Sequence, residues 1–257
     1  ATMLTGKTWL KVPKSTKLTI NGELKKGVTA KDLILFLVKE LGVEGANYQA
    51  VEFTGETIQR MTLASRMAIA NMSSEMGAKT GLVDPTGLEL WYPFEATSAD
   101  KDAEYTRELS FDVSALRPQI AKPHSPENVV AIDEVKGTKI NYAFIGSCTN
   151  TRLEDLHAAA DVLKGKQLSK GVRLIIAPAS KRVFNDALKD GTIEILSTAG
   201  ATFITSGCGP CVGSHLGVPG DGEVVISSTN RNFQGRMGNP KALVYLGSPA
   251  VVAASAL

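Results

Sequence analysis

Apolar positions along the chain recur with two periods, and the change of period marks the elements. Residues 30–41 (AKDLILFLVKEL) carry apolar side chains at helical spacing, and Thr29 stands ahead of them as an N-cap, so a helix is predicted there. Residues 7–12 (KTWLKV) and 17–20 (KLTI) alternate like a strand pair around Pro13, and residues 49–53 resemble a further strand. From Thr62 to Gly77 the small and apolar residues Ala64, Ala68, Met72 and Met76 recur every four positions, which predicts a helix that Gly77 can end. Residues 83–128 are less regular and hold five of the eleven prolines, so a domain boundary is expected near their end.

The second half alternates more cleanly. Strands are predicted at 140–146, 172–177, 201–204 and 223–228, with helices at 152–164, 180–189 and 192–199 and a last one from Pro249. Strands alternating with helices imply right-handed βαβ units. The expected fold class is therefore α/β: two αβα domains with mostly parallel or mixed sheets, residues 1–128 ending in a Pro-rich linker and residues 129–257 forming the second. In such sheets ligands gather at the carboxyl ends of the strands.

Composition narrows the function classes. The 257 residues are 43% hydrophobic and 21% charged, and 28 basic residues against 26 acidic ones give a formal charge of +2. With no block of like charge, neither nucleic acid nor an anionic membrane is expected as a partner. No apolar run reaches the roughly 18 residues of a membrane-spanning helix, and the first residues do not read as a signal peptide, so a cytoplasmic or similarly reducing compartment is expected. The chain opens on Ala1, which suggests a start inside a longer polypeptide or a removed leading methionine.

The three cysteines, Cys148, Cys208 and Cys211, are too few and too odd in number for a disulfide framework. Cys148 follows one predicted strand in Phe144-Ile-Gly-Ser-Cys-Thr-Asn150, and the other two follow another strand in Thr205-Ser-Gly-Cys-Gly-Pro-Cys-Val-Gly213. A loop leading into a helix favours a thiolate, the form that ligates metals, and Gly207, Gly209 and Gly213 let the backbone approach a bulky inorganic group. On spacing alone a redox pair or a structural zinc clip fits as well. With His215 as fourth ligand the set would be a Cys3His zinc site. Asn71 and Glu75, four apart on the predicted helix, share a face and could equally form a solvated stripe. Arg231 and Arg236 lie in a loop rich in Asn and Gly, where each guanidinium can grip a carboxylate bidentately. Thiolate-bound metal, carboxylate and arginines together suit chemistry on a small polycarboxylic acid.

The segments FIGSCTNTRLEDLHAA, GCGPCVG and STNRNFQGRMGNP...YLGSPAVVAASA resemble the aconitase superfamily, in the branch of isopropylmalate dehydratase and archaeal-type homoaconitase large subunits. The stretches around residues 6–42 and 67–81 are similar too, so the resemblance covers nearly the whole chain. It implies a [4Fe-4S] cluster on Cys148, Cys208 and Cys211, a catalytic role for Glu75, substrate contacts from Asn71, Arg231 and Arg236, and support from Asn150 beside the first ligand. It further implies a hydro-lyase acting on a malate-like di- or tricarboxylic acid, with 2,3-dimethylmalate as another candidate substrate, and leucine biosynthesis as the expected setting. That family's N-terminal domain, with its Asp-Ser-His motif, has no counterpart in these residues, and its catalytic serine comes from a swivelling domain that a small subunit supplies. The chain alone is therefore expected to be inactive. An RNA-binding role, known among aconitase relatives, finds little support in the near-neutral charge.

Overall fold

The computed structural model describes residues 2–90 and 92–257. After a single helical turn, α1 (Thr2–Thr5), the chain enters β1 (Ser15–Asn21), whose buried positions alternate at Thr16, Leu18 and Ile20. Helix α2 (Ala30–Leu41) begins where Asp32 accepts the backbone N–H of Thr29 at 2.8 Å, which satisfies one otherwise orphaned donor at the helix start. There follow β2 (Ala50–Thr54), the short α3 (Glu56–Gln59), α4 (Leu63–Met72), β3 (Thr80–Val83) and β4 (Arg107–Asp112). These strands form a four-stranded parallel sheet in the order β3-β2-β1-β4.

The second sheet has seven strands in the order β6-β5-β11-β10-β7-β8-β9. Its members are β5 (Gln119–Ala121), β6 (Val129–Ala131), β7 (Tyr142–Ile145), β8 (Arg173–Ile176), β9 (Thr202–Phe203), β10 (Val224–Ser227) and β11 (Leu243–Leu246). The five from β11 to β9 run parallel, and β5 and β6 add an antiparallel edge. Helices α5 (Leu153–Leu163), α6 (Lys181–Lys189), α7 (Thr192–Ala199) and α8 (Pro249–Ser255) alternate with them. From β7 the chain goes to β8 and β9 on one side, then returns to β10 and β11 on the other. The β7/β10 pair is therefore a topological switch point, the place where ligands bind in open α/β sheets.

Helices α2 and α4 lie between the sheets. One continuous apolar cluster joins Leu18 and Phe53 of the first sheet to Ile34, Leu35 and Ile69 of these helices and on to Tyr142, Phe144 and Val225 of the second sheet. The alternate side chains of β7, Ala143 and Ile145, face a second cluster with Leu156, Ala160, Leu196 and Val252 of α5, α7 and α8. The sheet carrying the cysteine loops is thus packed on both faces, which explains its near-continuous apolar strands.

Four features depart from the sequence reading. Residues 7–12 form no strand: Trp9 is 84% exposed and Leu10 and Val12 lie open as well, because β1 finds its partners in β2 and β4 instead. The helix expected over 62–77 closes its regular part at Met72 and continues as a tight 3-10 turn over Ser73–Met76, which Gly77 ends at φ +84°. Strand β4 comes out of the stretch expected to be irregular, and β11 was not anticipated. The chain passes from the first sheet to the second between Asp112 and Gln119. Among the described residues no helix is long and apolar enough to cross a membrane.

Candidate active site

Three loops meet at the carboxyl ends of β7, β9 and β10. The loop after β7 (residues 146–152) is tied to the loop after β10 by Ser228, whose hydroxyl accepts the Gly146 N–H and donates to the Gly146 carbonyl, each at 3.0 Å. Ser147 (φ +96°) and Thr151 (φ +71°) adopt the left-handed region in this loop, an arrangement costing about 1–3 kcal/mol per residue, so surrounding contacts must impose it. The contacts are present: Thr149 and Thr151 are fully buried, Arg152 Nη1 donates to the Thr149 carbonyl (2.6 Å), and the Ala179 N–H donates to the Thr151 carbonyl (3.0 Å). Cys148 is left exposed at the tip.

Beside it stands Asn71, near the end of α4. Its Oδ1 accepts from the Thr149 hydroxyl (2.8 Å), from Asn230 Nδ2 (2.6 Å) and, more weakly, from the Cys148 thiol (3.5 Å). Glu75, in the 3-10 turn, is 3% exposed and receives Arg231 Nε at 2.9 and 2.8 Å on its two oxygens, while the Ser74 hydroxyl donates to Oε1 at 3.2 Å. Bonding to this carboxylate raises the arginine's pKa further above its usual value. Arg231 remains 41% exposed, which lets it reach a bound anion as well. Asn71 and Glu75 thus come together with the cysteine and arginine loops.

Cys208 and Cys211 bracket a single 3-10 turn, in which the Cys211 N–H donates to the Cys208 carbonyl at 3.0 Å. Gly213 (φ +77°) closes it so near Gly238 that a Cβ on Gly213 would collide with the Gly238 backbone nitrogen, which places this turn against the arginine loop. Burial pushes the Cys211 thiol pKa up, Arg236 beside it pulls the other way, and Cys148 and Cys208 lie near enough to push it up again. Cys148 and Cys208 thus lie within electrostatic reach of Cys211, and the buried Nε of Arg236 beside it finds no hydrogen-bond partner among the described residues.

Asn150 is placed differently from the other candidates. Its Nδ2 donates to Asp155 Oδ1 (3.2 Å), so it braces the start of α5, where burial pushes the Asp155 carboxyl up to about 6. The histidines keep bland roles: His124 bridges to Phe233, His157 bonds Asp190 at 2.7 Å, and His215 is exposed. Among the described residues no group of three or more Cys, His, Asp or Glu is gathered tightly enough for a single metal ion, His215 included.

The sequence reading missed Lys31 and Asn230. Lys31 is fully buried at the start of α2, where desolvation lowers its pKa to about 8. It lies on the same helical stripe as Ile34, Leu35 and Val38, and a charge on an apolar stripe was the available signal. Asn230 sits inside a quoted motif, but only the fold shows that it meets Asn71.

An α/β protein with three cysteines and two arginines in the loops at the switch point of a mainly parallel sheet is the class that fold and site define. A sequence model of the Aconitase family (aconitate hydratase) matches residues 1–139 and 133–257, and the chain belongs to that family. It is 50% identical, over 98% of its length, to the 3-isopropylmalate dehydratase large subunit 2 of Archaeoglobus fulgidus, and 49% identical over 98% to the homoaconitase large subunit of Thermus thermophilus. It spans 62% and 61% of those proteins, about three fifths. The crystal structure of Thermococcus kodakaraensis aconitase X shares the fold, with a TM-score of 0.54 at 14% identity over 96% of this chain and 55% of that one.

Proposed function

We propose that this chain is the cluster-binding part of a 3-isopropylmalate dehydratase large subunit, which interconverts 2- and 3-isopropylmalate by loss and readdition of water. The observation that carries the reading is the convergence of three thiols, the Glu75–Arg231 pair and Arg236 at one switch point. Three soft donors within electrostatic reach of one another and an orphaned arginine donor beside Cys211 are the chemistry that an iron-sulfur group takes. Cys148, Cys208 and Cys211 would hold a [4Fe-4S] cluster, which when bound supplies an iron free of protein sulfur as a Lewis acid for a substrate hydroxyl and carboxylate.

The chain's own groups do the rest. Arg231 and Arg236 bind substrate carboxylates through charge-assisted hydrogen bonds. Glu75, buried and held by Arg231, exchanges a proton with the hydroxyl or water leaving the substrate. Asn71, its orientation locked by Thr149 and Asn230, holds that hydroxyl in place. A small subunit would supply the remaining acid-base group, so this chain alone should be inactive.

Homoaconitase is the second reading, favoured by near-equal identity to the Thermus thermophilus protein. The deciding experiment assays the full-length large subunit, cluster-loaded and paired with its small subunit, on 2-isopropylmalate, homocitrate and 2,3-dimethylmalate. Isopropylmalate should lead in kcat/KM by about tenfold or more, the discrimination a side-group pocket gives. A lead for either of the other acids overturns the assignment.

A further inference from the structure

Lys31 belongs to the first sheet's layer, yet its ammonium ends inside the second. Nζ donates to the carbonyl oxygens of Ser228 (3.1 Å) and Thr229 (2.7 Å) and lies 3.1 Å from Met72 Sδ. Those carbonyls belong to the two residues that precede Asn230 and Arg231. Asn230 bonds Asn71 and Arg231 bonds Glu75, so the segment held by Lys31 is the one that meets α4 and its 3-10 turn. Met72 lies between Asn71 and Glu75 in sequence, and the same ammonium therefore touches both sides of the site. A buried lysine is costly unless its donors are filled. A methionine or leucine would pack at this place without that cost, so the charge calls for another explanation than stability.

We propose that Lys31 is a positioning residue: by holding the Ser228 and Thr229 carbonyls it sets Asn230 and Arg231 against Asn71 and Glu75, and so fixes the substrate-gripping arginine from the opposite sheet layer. The proposal rests on the reading of Arg231 as a substrate contact. Its consequence is separable from folding. Without the ammonium, two buried carbonyls lose a charge-assisted partner, and the loop must shift to recover bonds with water.

The test uses the cluster-loaded full-length large subunit with its small subunit, in wild-type, Lys31→Met and Met72→Leu forms. Lys31→Met should raise KM for isopropylmalate by about tenfold or more, as expected for loss of one charged hydrogen-bond donor, with a smaller change in kcat. Amide hydrogen exchange at residues 228–232 should quicken by about tenfold while the strands of both sheets keep their protection. Met72→Leu should leave both readouts near wild type. Lys31→Gln, which keeps a donor without the charge, replaces the Met variant should that protein fail to fold, and the same local exchange change is expected. Unchanged KM and exchange at 228–232, or exchange that quickens evenly across both sheets, overturns the proposal. A wild-type enzyme inactive on all three acids would sink the functional reading alone, because the exchange comparison would still judge Lys31.

Discussion

On the proposed function, Cys148→Ser in the full-length large subunit is expected to leave the protein folded but nearly without a cluster, with dehydratase activity lower by about a thousandfold or more. Serine offers a hard, protonated oxygen in place of a soft thiolate, and two remaining sulfurs cannot hold a cluster that needs three. The loop itself should survive the change. Cys148 is the exposed tip of a segment anchored by the buried Thr149, Asn150 and Thr151 and by the Ser228–Gly146 bonds, so stability of the iron-free protein should move by no more than about 0.5 kcal/mol. Absorbance near roughly 400 nm, iron content and turnover measured on one preparation check this. Retention of full iron and activity by the serine variant would remove Cys148 from the ligand set, and with it the reading of the FIGSCTN loop.

The second large effect is expected at Glu75. Glu75→Gln keeps the shape and one acceptor for Arg231 Nε, so the 3-10 turn and the loop after β10 should stay where they are. What disappears is the group proposed to take and return a proton. A drop in kcat of about 10²–10⁴ is expected, with KM changed far less, because general acid-base catalysis is worth that much. Arg231→Lys gives the converse pattern: the charge stays but the planar fork is lost, so KM should rise more than kcat falls. Steady-state kinetics on isopropylmalate separates the two. If Glu75→Gln raised KM alone, Glu75 would be a binding residue and the proton would travel by another group.

How much of this was legible depended on what each segment packs against. Helix α2 could be read to its last residue because the signals agree: Thr29 and Asp32 at the start, a dense apolar run, and Gly42 after the end. The parallel strands β7, β8 and β10 could be read because burial on both faces leaves short apolar runs between helices. Residues 7–12 carry the same alternation without a neighbour to pair with, and alternation alone does not make a strand. Strand β4 shows the reverse. RELSFD is mostly polar, and it forms a strand because Leu109 and Phe111 turn inward at a sheet edge whose partner, β1, lies some ninety residues earlier.

The candidate site followed the same division. Cys148, Cys208, Cys211, Arg231 and Arg236 stood out because their residue types are scarce or clustered after predicted strands. The spacing of Asn71 and Glu75 predicts only a shared face, and their site roles came from the family resemblance; in the structure the chain leaves the α-helix between them and a tightened turn keeps both beside the cysteine and arginine loops. Lys31 and Asn230 act through partners roughly 197 and 159 residues away, a separation no local pattern carries. Asn150 was singled out as a neighbour of Cys148, and its side chain turns to Asp155.

The most direct test of the central claim is an iron and acid-labile sulfide assay on anaerobically reconstituted full-length protein. The account predicts iron and sulfide in near-equal amounts, several of each per chain, and a brown colour that is lost when any one of the three cysteines is replaced. A colourless protein holding one zinc ion and no sulfide would contradict it.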